Sequence, residues 1–351
     1  MPDLAPLARF GGLLATDLRD VTSDPAALDS AGFWAVAADF EGRLTCARFG
    51  DVRPAPVPAP LPGAWRGPAA GDWTSSLDRV AYTAGVRRIR EHIAAGEVYQ
   101  ANLCRVLSAP LADPVSDVDA LTALLARGNP APYAGTIRLP AHGVEIATAS
   151  PELYLRRDGR TVESGPIKGT GRTAADLLEK DRAENVMIVD LVRNDLGRVC
   201  ATGTVTVPRL CAVEPHPGLV HLVSTVRGRL ADRAGWAELL AATFPPGSVT
   251  GAPKSSALRI IEALEPAPRG PYCGGIGWVD ADRGAGELAV GIRTFWIDRA
   301  AGALRFGTGA GITWGSDPER EWAETELKAA RLLGVASGTH QATEASGGTI
   351  R

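Results

Sequence analysis

The stretch Leu153-Tyr154-Leu155-Arg156-Arg157-Asp158-Gly159-Arg160-Thr161-Val162-Glu163-Ser164-Gly165-Pro166-Ile167-Lys168-Gly169-Thr170-Gly171 reads as two strand-like runs around Asp158-Gly159, followed by a loop bounded by glycine and proline. An Asp-Gly pair between such runs marks a tight antiparallel hairpin. In the loop, Lys168 is held by Pro166-Ile167 before it and Gly169-Thr170 after it. Two readings are open. It is a surface lysine beside a turn, as most lysines are, or it is an amine taken out of water, whose lowered pKa makes it a nucleophile or base.

Outward from the hairpin, strands are expected at 32–40, 98–107, 134–139, 144–148, 204–207, 222–229, 273–280, 287–298 and 303–307. Helices are expected at 117–127, 174–194, 235–242, 254–263 and 318–334. A further helix capped by Asp72 or Ser75 carries Leu77, Val80, Tyr82, Val86, Ile89 and Ile93 at roughly helical spacing up to Gly96. Strands and helices do not alternate as βαβ units, so the fold class is α+β, with large antiparallel sheets and helices outside. Residues 53–62 are rich in proline and read as an extended connector. This divides the chain into 1–71 (short strands and connector), 72–335 (one main domain) and 336–351 (a Ser/Gly/Thr-rich tail expected to be disordered).

The chain has 351 residues, 45% of them hydrophobic, which is ample for a large core. Its formal net charge of −3 and lack of a dense basic block argue against nucleic acid as a partner. Five cysteines without a CxxC pair point to reduced thiols rather than a disulfide framework or zinc. No apolar run is long enough to cross a bilayer and no secretory signal opens the chain, so a cytoplasmic location is expected, with no membrane partner.

Two helical segments carry carboxylates. Asp181 and Glu184 share a face, three residues apart, and Val186 to Val192 continue that helix as an apolar run. The second segment starts at Asp317-Pro318 and puts Glu321, Glu324 and Lys328 on one face. Each is either a solvated charged stripe or one wall of a pocket. Two acidic faces meeting across a pocket suit Mg2+, which takes one or two carboxylates and fills its shell with water and ligand oxygens.

Gly307-Thr308-Gly309-Ala310-Gly311 alternates glycine and lets backbone N–H groups approach an anion. Gly247 to Lys254 reads as a turn leading to a helix N-terminus, also favourable to anions. Arg293 stands inside a strand pattern, on a wet face or paired with a carboxylate through its planar fork.

Together these segments resemble the chorismate-utilising enzymes, from about Asp72 to Leu333. The likeness rests on Gly96 to Leu103, Ala149-Ser150-Pro151-Glu152, Pro166-Ile167-Lys168-Gly169-Thr170, Ala183 to Asp195, His221-Leu222-Val223-Ser224, Gly251-Ala252-Pro253-Lys254, Gly291 to Thr294, Gly309-Ala310-Gly311, and Glu324-Thr325 with Lys328. The resemblance implies two stacked antiparallel sheets with helices outside, and chorismate with Mg2+ in the cleft. It implies Glu184 and Glu324 as metal ligands, with Glu321 and Asp181 behind them. Thr170, Tyr272, Arg293, Lys328 and the amides near Gly309 and Gly311 match substrate contacts. His221 lies near the ring, and Glu152 matches the acid that protonates the departing C4 hydroxyl.

Within that family, the water-adding members carry a lysine at the position of Gln100, and glutamine cannot be that base. The anthranilate synthases look like Pro-Ile-Ala-Gly-Thr where this chain has Pro-Ile-Lys-Gly-Thr, as the aminodeoxychorismate synthase large components do. The resemblance therefore implies that Lys168 adds to C2 as hydroxide leaves C4, and that ammonia then gives 4-amino-4-deoxychorismate, a precursor of aminobenzoate for folate or a specialised product. Glutaminase and lyase modules are not recognisable, so ammonia is expected from a separate glutamine amidotransferase subunit or from solution. The alternatives are anthranilate synthase component I and a catalytically inactive chorismate-binding subunit.

Overall fold

The computed structural model describes residues 4–59, 64–111, 113, 116–171, 173–216 and 219–339, with the side chains of Thr170, His216 and Leu219 outside that set. The chain opens with β1 (Leu7–Phe10), β2 (Leu13–Thr22), β3 (Phe33–Ala38) and β4 (Leu44–Pro54). There follow β5 (Thr74–Ser75), α1 (Arg79–Ala94), β6 (Gln100–Pro110), α2 (Val118–Gly128), β7 (Tyr133–Leu139), β8 (Val144–Ser150), β9 (Leu153–Asp158), β10 (Thr161–Gly165) and β11 (Ile167–Gly171). Then come α3 (Glu179–Gly197), β12 (Thr206–His216), β13 (Leu219–Arg229), α4 (Trp236–Thr243), β14 (Gly251–Ala252) and α5 (Lys254–Leu264). The described chain closes with β15 (Gly275–Asp280), β16 (Ala285–Val290), β17 (Thr294–Asp298), β18 (Ala303–Ile312) and α6 (Pro318–Ala336).

Every pairing is antiparallel. One half of the ladder runs β6–β18–β17–β8–β7–β1, with β5 and β14 on the far edge of β6. The other runs β3–β15–β16–β9–β10–β13–β12, with β11 beside β10 along β13. β2 and β4 join them, so the two stacked layers are halves of one continuous ladder. Cys104 and Ile146 of the first half share a core with Trp34, Leu155, Ile276 and Leu288 of the second, which places the hydrophobic contact between the layers. Burying a side chain of this size contributes about 2 kcal/mol. Outer helices close further cores: α2 and α6 over Phe295 and Phe306, α1 and α5 over Leu103.

The hairpin read from Asp158-Gly159 is present, with Thr161 opposite Asp158. Several boundaries differ from expectation. α1 is capped by Asp78, whose Oδ1 accepts from Ala81 N at 2.8 Å, because Thr74 and Ser75 are already paired with β6. A separate turn of 3-10 helix at Ala174–Asp176 precedes α3, which starts at Glu179. The strand expected at 287–298 is broken at 291–293, where Arg293 has φ of +53°. The glycine run 307–311, readable from sequence as strand or turn, is strand and forms the second half of β18. The expected tail beyond residue 339 lies outside the described residues.

Gly307 is glycine for want of space. A Cβ there would lie 2.0 Å from Cγ of Tyr272, whose ring is buried. Gly307→Ala forces that ring or β18 to move and is expected to cost at least about 2 kcal/mol, read from denaturant midpoints at constant m-value.

Candidate active site

β11 follows β13 with a register shift between Ile167 and Thr170, which leaves Lys168 and Gly169 in a bulge. Gly169 has φ of +79°, and a Cβ on it would meet Asp181 Cβ at 2.8 Å, so both backbone and space require glycine. A bulge re-aims the side chain it carries. Lys168 is half-buried, and its Nζ donates to Ser248 O at 3.2 Å. Burial lowers its pKa below that of an ordinary amine; Glu184, then Glu152, oppose the shift, Lys328 adds to it and Glu324 opposes it. No acid makes a contact ion pair with Lys168 among the described residues.

Glu152 stands just beyond β8 and is 5% exposed. Its backbone is fixed twice: its carbonyl accepts from Val290 N at 3.0 Å, and its N–H donates to Ser150 Oγ at 3.3 Å. Burial pushes its carboxyl up to about 6, against a hydrogen bond with Ser248, the charge of Lys168 and the N–H of Ile167. A carboxyl in that range holds a proton long enough near neutral pH to act as an acid. Ser248 thus serves both groups, by its carbonyl and its hydroxyl.

The two acidic helices are each pinned by the residue after a glutamate. Asn185, fully buried, donates Nδ2–H to Leu222 O at 3.1 Å and accepts from the hydroxyl of Ser224, which locks α3 to β13 beside Glu184. Thr325, also fully buried, accepts from Arg105 Nε at 3.1 Å, and its carbonyl accepts from Thr308 Oγ1 at 3.1 Å, which locks α6 to β6 and β18 beside Glu324. Glu184 and Glu321 are held above the usual carboxylate range, by burial first and then by acidic neighbours that include Glu324. Partial burial pushes Glu324 up, but Lys328, Lys180 and Lys168 together bring it below its ordinary value. Lys328 Nζ contacts Glu324 at 2.7 Å and donates to Gly309 O at 3.1 Å. Asp181 spends one oxygen on the start of α3, accepting from Leu178 N at 2.8 Å.

No three His, Cys, Asp or Glu side chains form a ready cage for a metal among the described residues. Glu184 lies within electrostatic reach of Glu324, and two such carboxylates fit Mg2+, which keeps water and ligand oxygens in most of its shell.

His221 is 2% exposed on β13, in register with Thr170 of β11. The side chain of Thr170 lies outside the described residues. Arg293 is half-buried, and its guanidinium makes no ion pair or hydrogen bond among the described residues; burial lowers its pKa and Arg331 lowers it further. A cation so placed lacks an anion. Tyr272 sits among Cys104, Cys273 and Arg269 rather than among the carboxylates. The side of β18 above Gly309 and Gly311 is taken by Cys104 and Gln100. Gln100 is fully buried, and its Oε1 has no partner among the described residues. Ser248 was not legible as a site residue. Its one signal is its place in the turn Gly247 to Gly251 that runs into Ala252-Pro253-Lys254.

A family model described as chorismate binding enzyme matches residues 36–334. Anthranilate synthase component 1 of Streptomyces coelicolor is 43% identical over 300 residues, which is 80% of this chain and 57% of that protein. Aminodeoxychorismate synthase component 1 of Salmonella typhimurium is 39% identical over 273 residues, 74% of this chain and 58% of that protein. The chain thus spans less than two thirds of the length of either. The crystal structure of anthranilate synthase component I from Streptococcus pneumoniae matches with a TM-score of 0.70 at 26% identity, covering 85% of this chain and 76% of that one.

Proposed function

This chain belongs to the chorismate-binding enzyme family, and we propose that it aminates chorismate at C4, giving 4-amino-4-deoxychorismate through a transient bond between Lys168 and C2. The observation that carries the reading is Lys168 itself: an amine in a bulge, lowered by burial, within electrostatic reach of Glu152, Glu184 and Glu324.

In this reading the neutral amine of Lys168 adds to C2. The ring double bonds shift and the C4–O bond breaks. Glu152 gives its proton to the leaving oxygen, which departs as water. Ammonia then bonds to C4, the double bonds shift back, and the C2–N bond to Lys168 breaks. Arg293, with no anion of its own, takes a substrate carboxylate, assisted by Thr170, Tyr272 and the backbone near Gly309 and Gly311, with His221 beside the ring. Glu184 and Glu324 would hold Mg2+, with Glu321 and Asp181 behind them; when bound, the ion anchors the C1 carboxylate and offsets charge as the ring rearranges. Chelation with EDTA is expected to stop turnover and added Mg2+ to restore it. An unchanged rate in chelator removes that role from the glutamates.

A buried amide at Gln100 is no base, so water addition at C2 is disfavoured, whereas ammonia needs no base to attack. Ammonia is supplied by a separate glutaminase subunit or by ammonium salt. One observation favours a second reading, anthranilate synthesis: the relative of that name has the higher identity, 43% against 39%. A product assay separates them. Anthranilate is fluorescent and forms without a lyase, while 4-aminobenzoate appears only after a lyase is added. Fluorescent product from chorismate and ammonium alone overturns the proposal.

A further inference from the structure

A cavity of about 20 Å3 adjoins Glu152, enough for one water. Its polar lining is Glu152, Tyr154, Ser164, Asp195, Thr243 and Ser248; Lys168 does not reach it. Tyr154 and Thr243 hydroxyls are 2.7 Å apart, and Thr243 Oγ1 donates to Leu239 O at 2.8 Å, so the tyrosine is the donor of the pair. Asp195 is 5% exposed. Its Oδ2 accepts from Lys254 Nζ at 2.6 Å, and Lys254 also donates to Thr243 O at 2.8 Å. Asp195 Oδ1 has no protein partner among the described residues. These are residues of two segments of the family likeness, 183–195 and 251–254, for which the proposed reaction has no use.

We infer that this cavity holds one water bridging Glu152 to Asp195, and that the Asp195–Lys254 pair returns through it the proton that Glu152 gives up in each turnover. The inference rests on the reading of Glu152 as the acid. The balance requires such a return. Glu152 loses its proton to the C4 oxygen, ammonia enters neutral, the C4 nitrogen keeps its three protons as an ammonium, and Lys168 leaves C2 as the neutral amine it began as. One proton per turnover must come from solvent, while substrate covers the Lys168 side. The Lys254 side chain is 16% exposed and Asp195's 6%, which gives the pair an outlet. The proton passes from the Lys254 N–H to Asp195, from Asp195 to the water as the water gives its own to Glu152, and solvent reprotonates Lys254. Burial raises Asp195 and lowers Lys254, so the two lie closer together than in water and exchange costs less. The charged groups around this path are Lys168 facing Glu152, and Arg198 beside Asp195 and Lys254.

The test uses the full chain with chorismate, Mg2+ and ammonium, followed by quenched flow. Asp195→Asn breaks the relay chemically; Val192→Ile, at the cavity wall, displaces the water without touching a charge and serves if the first variant does not fold. At pH 5, below the value of about 6 for Glu152, that carboxyl starts protonated; both variants are then expected to form one product per site at the wild-type rate and afterwards to turn over at least about tenfold more slowly, with an enlarged solvent deuterium effect. Steady rates within twofold of wild type in both, or loss of the burst in both, overturn the relay. Glu152→Gln separates the two claims. Absence of its burst keeps the acid role whatever the relay variants do, and a wild-type burst overturns the acid role and the relay with it.

Discussion

Lys168→Ala is expected to slow aminodeoxychorismate formation by at least about 1,000-fold, or about 4 kcal/mol of transition-state stabilisation, while the protein stays folded and still binds chorismate. The expectation follows from how little else the amine does. Its one hydrogen bond is to Ser248 O, and it makes no contact ion pair among the described residues. Its removal takes away the proposed nucleophile without unpinning α3 or α6, which are held by Asn185 and Thr325. Lys168→Arg is expected to be equally inactive, because a guanidinium does not become neutral in a protein. Initial rates, a thermal melt and a chorismate titration check all three parts. A rate above about a tenth of wild type would put the nucleophile elsewhere.

Glu152→Gln is expected to lower the rate by about 100- to 10,000-fold, since an amide cannot protonate the departing hydroxyl. The same change has an opposite effect on stability. The folded-state pKa of Glu152 is raised to about 6 from an ordinary 4.5, so the folded protein binds the extra proton between those values. Stability conferred at that position is therefore present at acid pH and is lost as pH rises from about 4.5 to 6. Glutamine does not ionise and escapes that loss. The variant is expected to match wild type near pH 4 and to exceed it by up to about 2 kcal/mol above pH 7. Urea unfolding at the two pH values checks the sign. A variant less stable than wild type at high pH would mean that burial does not strain this carboxyl.

The parts of the fold legible in the sequence were those whose signals are local. The Asp158-Gly159 hairpin, α2, α4, α5 and α6 carry their turns or apolar spacing within a few residues. β12 was expected to end near 207 but reaches His216, because Pro208 and a positive φ at Cys211 break the strand pattern while two register shifts keep it on β13. β18 was expected to end near 307 but reaches Ile312, because the lack of side chains at Gly309 and Gly311 makes room for Cys104 and Gln100 on β6, a fact set by pairing about 200 residues away. The loop around Lys168 was legible as special, but its being a bulged strand on β13 was not, since β13 lies 50 residues on. The pairing of Glu184 with Glu324 came from the family likeness alone, and the structure adds that the two interact electrostatically. No periodicity brings the acidic faces of α3 and α6 near each other, and each helix by itself reads equally well as a solvated stripe. Ser248 was missed because half its role is a backbone carbonyl, which any residue supplies.

The most direct test of the central claim is the mass of the peptide containing Lys168 after the enzyme is mixed with chorismate and Mg2+ without ammonia, quenched in acid and digested. The account predicts a fraction of that peptide heavier by chorismate less one water, attached at Lys168, which disappears when ammonium is added before the quench. An unmodified Lys168 peptide in an enzyme that still turns over when ammonium is supplied would contradict it.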